Sequence, residues 1–425
     1  MTILIGVILL VALLVLRVPV AIAIAALGIA AVSLELGDKV FVVTAQVIVD
    51  GVDSFILIAA PFFMLAGEIM NRGGMTRRIF RFANALVGWL PGGLGHVNVM
   101  ASMLFAGMTG SAISDALGLG SMEISAMREK GYDKEMSAGI TAASSIIGPI
   151  IPPSVPMVIY GALAGASIGS LFLAGVIPGI IMGIALMLAI VIYAKQGKCP
   201  KEAPISRIEL SASAKAALPS IMTPVIVVGG IYTGLFTPTE AAVVAVAYAL
   251  LLSFWYRELN LKELGIALQR VVIATGTLFF IVGATALVGW VVARSGVMIE
   301  AALWLSSEIN NKSVLLFIIV ILYLIVGLFM EPVAALVLLV PILLPAVKIV
   351  QIDLIHFGVV TVLTLCVGLL TPPVGLVLYA VAKIADLEIH RMIRATMPFL
   401  LVLMAVLMLI VFIPEIVLFL PRLLQ

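Results

Sequence analysis

Apolar stretches recur along almost the whole chain, and they leave it one kind of solvent. They run over residues 2–16, 18–34, 50–71, 97–127, 136–167 and 170–194, then over 216–235, 236–254, 271–293, 313–347, 355–384 and 396–420. Most approach or exceed the roughly 20 residues that an α-helix needs to cross a bilayer. Of the 425 residues, 63% are hydrophobic and 11% charged, with a mean hydropathy of +1.29. A soluble fold must face water over much of its surface and could not hide so much apolar side chain. Soluble enzyme, nucleic-acid binder and disordered scaffold are therefore excluded for the chain as a whole. The expected class is an all-α polytopic membrane protein.

Charge is sparse and nearly balanced, 24 Lys+Arg against 22 Asp+Glu, for a net charge of +2. The largest polar stretch, 195–215, carries Lys195, Lys198, Lys201, Arg207 and Lys215 and reads as the natural centre. Cys199 and Cys366 lie far apart and offer neither a disulfide framework nor a metal cluster. The first 16 residues lack a basic start and are followed by Arg17 rather than a small-residue cleavage site. They are expected to remain as a membrane helix rather than be cleaved as a signal peptide.

The two halves repeat. Pro19 and Pro238 stand 219 apart, and Arg72 and Arg294 stand 222 apart. Gly148 and Gly368, Pro152-Pro153 and Pro372-Pro373, and Pro178 and Pro398 are each offset by 220. Basic loops mark the cytoplasmic side of a membrane protein, and the basic member of each matched pair alternates between halves. Arg72, Arg77, Arg78 and Arg81 follow the third run, where the second half offers little beyond Arg294. Arg128, Lys130 and Lys134 face a counterpart with Lys348, whereas Lys39 beside Glu35 and Asp38 faces Arg257, Lys262 and Arg270. Alternation of this kind is what inverted-topology repeats produce.

The crossings add up if 97–127 and 313–347 are re-entrant hairpins. Each half then has five membrane crossings plus a hairpin, with the centre inside and both termini outside. The expected division is a first repeat over 1–198, a basic cytoplasmic linker over 199–215 and a second repeat over 216–425. Residues 75–89 read as an interfacial helix, with Met75, Ile79, Phe82, Leu86 and Trp89 on one face.

Two proline-rich stretches interrupt helices at expected mid-membrane depth: Gly148-Pro149-Ile150-Ile151-Pro152-Pro153-Ser154 within 136–167, and Gly368-Leu369-Leu370-Thr371-Pro372-Pro373 within 355–384. Proline lacks the N–H that would bond the carbonyl four residues back. Pro152 and Pro372 should thereby free the carbonyls of Gly148 and Gly368. Free carbonyls in hydrocarbon are costly unless something binds them, and a hard monovalent cation such as Na⁺ is one answer. The alternative is a kink satisfied by neighbouring hydroxyls or water, but two kinks at equivalent positions favour an ion or substrate.

The hairpins supply the rest of each site. Gly107-Met108-Thr109-Gly110-Ser111-Ala112-Ile113-Ser114-Asp115 is dense in small and hydroxylic residues, and its counterpart is Gly327-Leu328-Phe329-Met330-Glu331-Pro332. Asp115, Ser154 and Glu331 are substrate or outer-shell candidates; Asp115 and Glu331 are ionisable groups at membrane depth, with a helix cap as the rival role. Glu68 should pair with Arg72, and Glu240 should favour the start of its helix. The spacings Gly161/Gly165 and Gly179/Gly183 suggest helix packing. Gly197-Lys198 is no P-loop, and Gly165-Ala166-Ser167-Ile168-Gly169 matches a hydrolase pattern only outside its strand–turn–helix context.

These segments, in this order, resemble the large, DctM-like membrane subunit of tripartite ATP-independent periplasmic (TRAP) transporters over essentially the whole chain. The resemblance rests on Pro61 through Met70, Gly110 through Asp115, Gly148 through Ser154, Leu171 through Gly179, and Gly234 through Glu240. It implies a secondary transporter of elevator type in a bacterial inner membrane, and no enzyme. It further implies an organic acid as substrate, Na⁺ as coupling ion with no other cofactor, a small four-helix DctQ-like subunit, and a periplasmic DctP-like binding protein. One sodium site is implied at Thr109, Ser111, Gly148, Ile151 and Pro153, and a second at Gly327, Gly368 and Thr371. Helix N-termini at the breaks favour an anion, and C4-dicarboxylates, sugar acids, keto acids and sialic acids all fit. A stand-alone symporter of the same architecture, needing no binding protein, is the alternative.

Overall fold

The computed structural model describes residues 9, 12–13, 16, 18–37, 40–197, 199–200, 206–296 and 312–424. Most of the first apolar run, together with Arg17, Asp38, Lys39, Lys198 and Lys201, lies outside the described residues. Among the described residues every regular element is helical. Numbered from the first helix described in full, the first half contains α1 (Val20–Leu36), α2 (Val40–Val52), α3 (Ala59–Arg72), α4 (Met75–Val87) and α5 (Gly93–Thr109). It continues through α6 (Ala112–Leu117), α7 (Leu119–Glu129), α8 (Lys134–Ser145), α9 (Val155–Ala164) and α10 (Ile168–Lys195). The second half contains α11 (Arg207–Tyr232), α12 (Pro238–Trp255), α13 (Leu261–Arg294), α14 (Lys312–Gly327) and α15 (Pro332–Ile349). It ends with α16 (Leu354–Gly368), α17 (Leu376–Ala385), α18 (Ile389–Phe412) and α19 (Pro414–Leu424).

Six of these helices, α10, α11, α12, α13, α15 and α18, are long and apolar enough to cross a membrane. Their outward faces are apolar too. On α10, Ile184, Leu188 and Ile192 are 52%, 60% and 58% exposed at four-residue spacing, an apolar stripe suited to a membrane rather than to water.

Short polar residues start the helices where the runs begin. Ser206 accepts from the Glu209 N–H, Asn260 from Glu263, and Asp353 from Ile355 and His356. Thr237 and Glu240 form a reciprocal capping box on α12, the role expected of Glu240. The Ser206 cap shortens the expected linker, since α11 already begins at Arg207 rather than after 215. The run 50–71 holds only the end of α2 and then α3, parted at 53–58 around the polar Asp53 and Ser54, and 396–420 is divided at Ile413-Pro414 because proline cannot continue α18.

Helix α4 corrects the expected amphipathic face. Met75, Ile79, Ala83 and Val87 are buried, but Leu86 and Trp89 are 37% and 58% exposed. The burial stripe turns toward the small residues, which let α4 lie close against α5 and α11. The Gly161/Gly165 pair is also not a packing pair. Gly161 abuts Ile168, whereas Gly165 ends α9 in the left-handed conformation (φ +67°) with open space around it. Gly179 and Gly183 do pack, against Ile151 and Met103.

Most contacts fall within two sets of helices, bridged by α13 on α15 and by α5, which packs on α4 as well as on α8 and α10. In one, α3 packs on α12, α13 on α1, α2 and α3, and α11 on α4 and α12. In the other, α18 packs on α8, α16 on α14, α9 on α15, and α10 on α18 and α19. Ion pairs join helices within a set. Arg72 pairs with Glu68 at 3.1 Å and with Glu263, Arg78 with Glu258 at 2.7 Å, and Arg81 with Glu209 at 2.6 Å. In the second set Lys134 pairs with Asp386 at 3.0 Å and Arg391 with Glu135.

Candidate functional site

Helix α8 ends at Ser145 and α9 begins at Val155, so residues 146–154 form the first break. The turn is tight because Ile150 and Ile151 both donate their N–H to the Ile147 carbonyl, at 3.0 and 3.1 Å. The Pro152-Pro153 bond is cis, as is Pro372-Pro373 in the second half. Ser154 closes the break: its hydroxyl donates to the Pro149 carbonyl and accepts from the Met157 N–H at 3.3 Å. The structure therefore gives Ser154 the work of an N-cap. From the other side α10 presses in, and Gly175 leaves room for the Ile150 carbonyl.

The tip between α5 and α6 lies on this break. Gly110 adopts a left-handed conformation (φ +59°), and a Cβ there would sit 2.9 Å from the Val155 nitrogen and 3.6 Å from the Pro153 carbonyl oxygen. Ser111 is extended and caps α6 by accepting from the Ser114 N–H at 3.4 Å. The side chain of Thr109 lies outside what is described. Asp115, in the first turn of α6, is 2% exposed, and its carboxylate rests where a Gly148 side chain would be. Glycine at 148 is thus what admits a carboxylate to the break. The structure sets Asp115 against Gly148 and the Gly110 tip against Pro153 and Val155.

Sequence reasoning overlooked a second buried carboxylate. Glu123 on α7 is 1% exposed, interacts electrostatically with Asp115, and its Oε1 meets no protein hydrogen-bond partner. It also overlooked a polar cluster behind the tip. Asn98 donates to Thr141 at 2.7 Å and accepts from Ser144 at 2.6 Å, all buried, which ties α5 to α8. A hydroxyl four residues from a break was the available signal; Asn98 carried none.

The second site has a closer backbone approach. Gly327, at the end of α14, and Gly368, at the end of α16, lie back to back, and a Cβ on Gly368 would come within 2.8 Å of the Gly327 Cα. The Gly368 carbonyl is not left free as expected. It accepts from the Thr371 N–H at 3.0 Å, because the chain tightens into a turn past the break. The Thr371 hydroxyl donates to the Val367 carbonyl at 3.0 Å. A carbonyl keeps a second lone pair after one hydrogen bond, so both groups retain an acceptor for a cation. Glu331 caps α15, its carboxylate accepting from Val333 at 3.0 Å and Ala334 at 3.4 Å, so the cap role prevails there. At the far end of this pair the Lys312 ammonium donates to the Gln351 carbonyl at 2.9 Å, so α14 and α15 turn back on each other.

Other polar side chains have structural roles. Ser167 of the hydrolase-like pattern is the N-cap of α10, accepting from the Ser170 N–H at 3.2 Å. His96 and His356 bond the Pro91 and Ile410 carbonyls, each at 2.9 Å.

Comparison with known proteins gives the family. A family model described as "Tripartite ATP-independent periplasmic transporter, DctM component" matches residues 7–416. The sialic acid TRAP transporter large permease protein SiaM of Vibrio cholerae is 44% identical over 380 residues, covering 89% of each chain. The 2,3-diketo-L-gulonate large permease protein YiaN of Escherichia coli is 36% identical, covering 88% of each chain. The C4-dicarboxylate large permease protein DctM of Pseudomonas aeruginosa is 37% identical, covering 87% of each. Among solved structures, the YdaH transporter of Alcanivorax borkumensis shares the fold with a TM-score of 0.65 at 13% identity, over 88% of this chain and 89% of that one. Helices of membrane-spanning length, two hairpin tips seated on two helix breaks, and a match over nearly the full length together place this chain in the DctM family, as a large transporter permease and not an enzyme.

Proposed function

We propose that this protein is the permease subunit of a sodium-coupled secondary transporter that imports a small organic acid across a bacterial inner membrane. The acid is delivered by a periplasmic DctP-like binding protein, and a DctQ-like subunit of four helices completes the membrane part. The observation that carries this reading is the pairing of each hairpin tip with a break: Gly110 against 153–155, and Gly327 against Gly368. Each pairing sets a hairpin glycine near a carbonyl at the break, Pro153 in one case and Leu365 in the other, and unwound backbone carbonyls are ligands a sodium ion takes. Sodium falls at Thr109, Ser111, Gly148, Ile151 and Pro153, and again at Gly327, Gly368 and Thr371. Asp115 borders the first site and links it to the substrate.

The two halves are inverted repeats in this reading, and the second helix set moves across the membrane against the first. Sialic acid, diketogulonate and C4-dicarboxylates, named for the relatives, share a carboxylate, and that is the substrate class assigned here.

Reconstitution in liposomes tests the proposal. Uptake should require the small subunit, the binding protein and an inward Na⁺ gradient together. Robust sodium-driven uptake without the binding protein would leave only the stand-alone symporter.

A further inference from the structure

A crevice of about 330 Å³ lies between α13 and the helices α9 and α15 of the other set, with Gly51 of α2 at its side. Small residues of α13 make it: Ala286 and Gly289 line the wall, and a Cβ placed on Gly289 meets open space. The deep end is apolar. Val282 and Val337 are buried there, and Thr285 turns its hydroxyl back to the Ile281 carbonyl at 2.8 Å, leaving its methyl for the crevice. The lining becomes exposed at Ala293, three turns or about 16 Å along α13 from Val282. One residue farther on stands Arg294, its guanidinium 4.9 Å from the centre of the Trp290 ring.

Helix α13 has 34 residues, about 51 Å at the usual rise. It is longer than the roughly 30 Å hydrocarbon core, so its end reaches headgroup level. Tryptophan and arginine suit that level, one amphipathic and the other a planar fork for phosphate. The void is too narrow for a partner helix, whose diameter with side chains is about 10 Å, but it accepts a single file of methylenes. An unfilled void would forfeit dispersion contacts along its lining.

We infer that this crevice holds one acyl chain of a phospholipid, whose phosphate is bound at the mouth by Arg294. The lipid then fills the border between the two helix sets, and it is a site separate from the breaks.

Native mass spectrometry of the purified full chain, reconstituted with phosphatidylglycerol and extracted in mild detergent, tests this. The wild type should retain one phospholipid. Gly289→Leu adds a branched side chain where a Cβ meets open space, and Arg294→Gln removes the phosphate partner; each should lower retention by about ten-fold or more. Gly276→Leu, where an added Cβ also meets open space but outside the crevice, should match the wild type. Exchange for a diacylglycerol galactolipid should reproduce the Arg294→Gln loss. Equal retention in the wild type and Gly289→Leu, or no retained lipid in either, would overturn the chain site. Undiminished retention in Arg294→Gln would overturn the phosphate contact.

Discussion

Gly148 shows how much one missing side chain decides. A methyl there would fall on the Asp115 carboxylate, with the Ser145 carbonyl only 3.3 Å away on the backbone side. Gly148→Ala should therefore displace Asp115 and raise the Na⁺ concentration for half-maximal uptake. Losing a buried polar contact costs about 1–3 kcal/mol, roughly 5- to 150-fold in affinity. Ser111→Ala should shift the sodium curve by a similar factor. A curve that stays in place while only the maximal rate falls would remove the ion from this break. Ser154→Ala differs, because its hydroxyl holds both the Pro149 carbonyl and the Met157 N–H. That variant should lower the melting temperature, at a cost of about 1–2 kcal/mol, even where sodium affinity is unchanged. The two breaks were legible because proline interrupts a helix at a known spacing, but the turn that satisfies the Gly368 carbonyl was not, since it depends on how the chain folds past the break. Glu123 was not: Arg128, Glu129 and Lys130 follow it closely and make its stretch read as a solvated helix end, whereas the fold turns it inward against Asp115.

At the scale of helices, starts were more readable than interruptions. A side-chain oxygen at the N-cap announces itself locally, as Thr237 and Asn260 do. The break at 53–58 did not, because the last turn of α2 and the start of α3 read as one apolar run across Asp53 and Ser54. The start of α8 illustrates an element held by charge. Lys134 and Glu135 reach across to Asp386 and Arg391, which fixes α8 to the turn between α17 and α18. The hydrogen bond from Lys134 holds the Asp386 carboxyl below its usual range, and its own backbone N–H, then Arg391, does the same for Glu135. A carboxyl with a depressed folded-state pKa contributes stability above its unfolded value, near 4, and loses it as pH falls through the lower folded value. Thermal stability in detergent should hold between about pH 8 and 5 and decline below about 4. Lys134→Ala and Arg391→Ala should each flatten that acid limb. An identical acid decline in both variants would assign it to other carboxylates.

For the molecule as a whole, the distribution of charge and of small residues suggests which parts travel together. Among the described residues, the ion pairs between helices stay inside one set or the other, while the border between α13 and α15 is apolar. Leu338 of α15 packs there against the cluster of Ile24, Ala25 and Ala284 on α1 and α13. Such a border slides without breaking a buried ion pair, a loss that costs about 3–5 kcal/mol. If α15 and its neighbours move against α13 during transport, a short bifunctional thiol reagent joining Ala284→Cys to Leu338→Cys should abolish uptake. The background should lack Cys199 and Cys366, the two native thiols. The same reagent joining Arg81→Cys to Glu209→Cys links α4 to α11 within one set. It should leave uptake near the uncross-linked rate, because nothing there changes its neighbours. Uptake that survives the first cross-link would mean that α13 and α15 keep their contact throughout the cycle, and the moving part would have to be smaller, a hairpin tip over a fixed break.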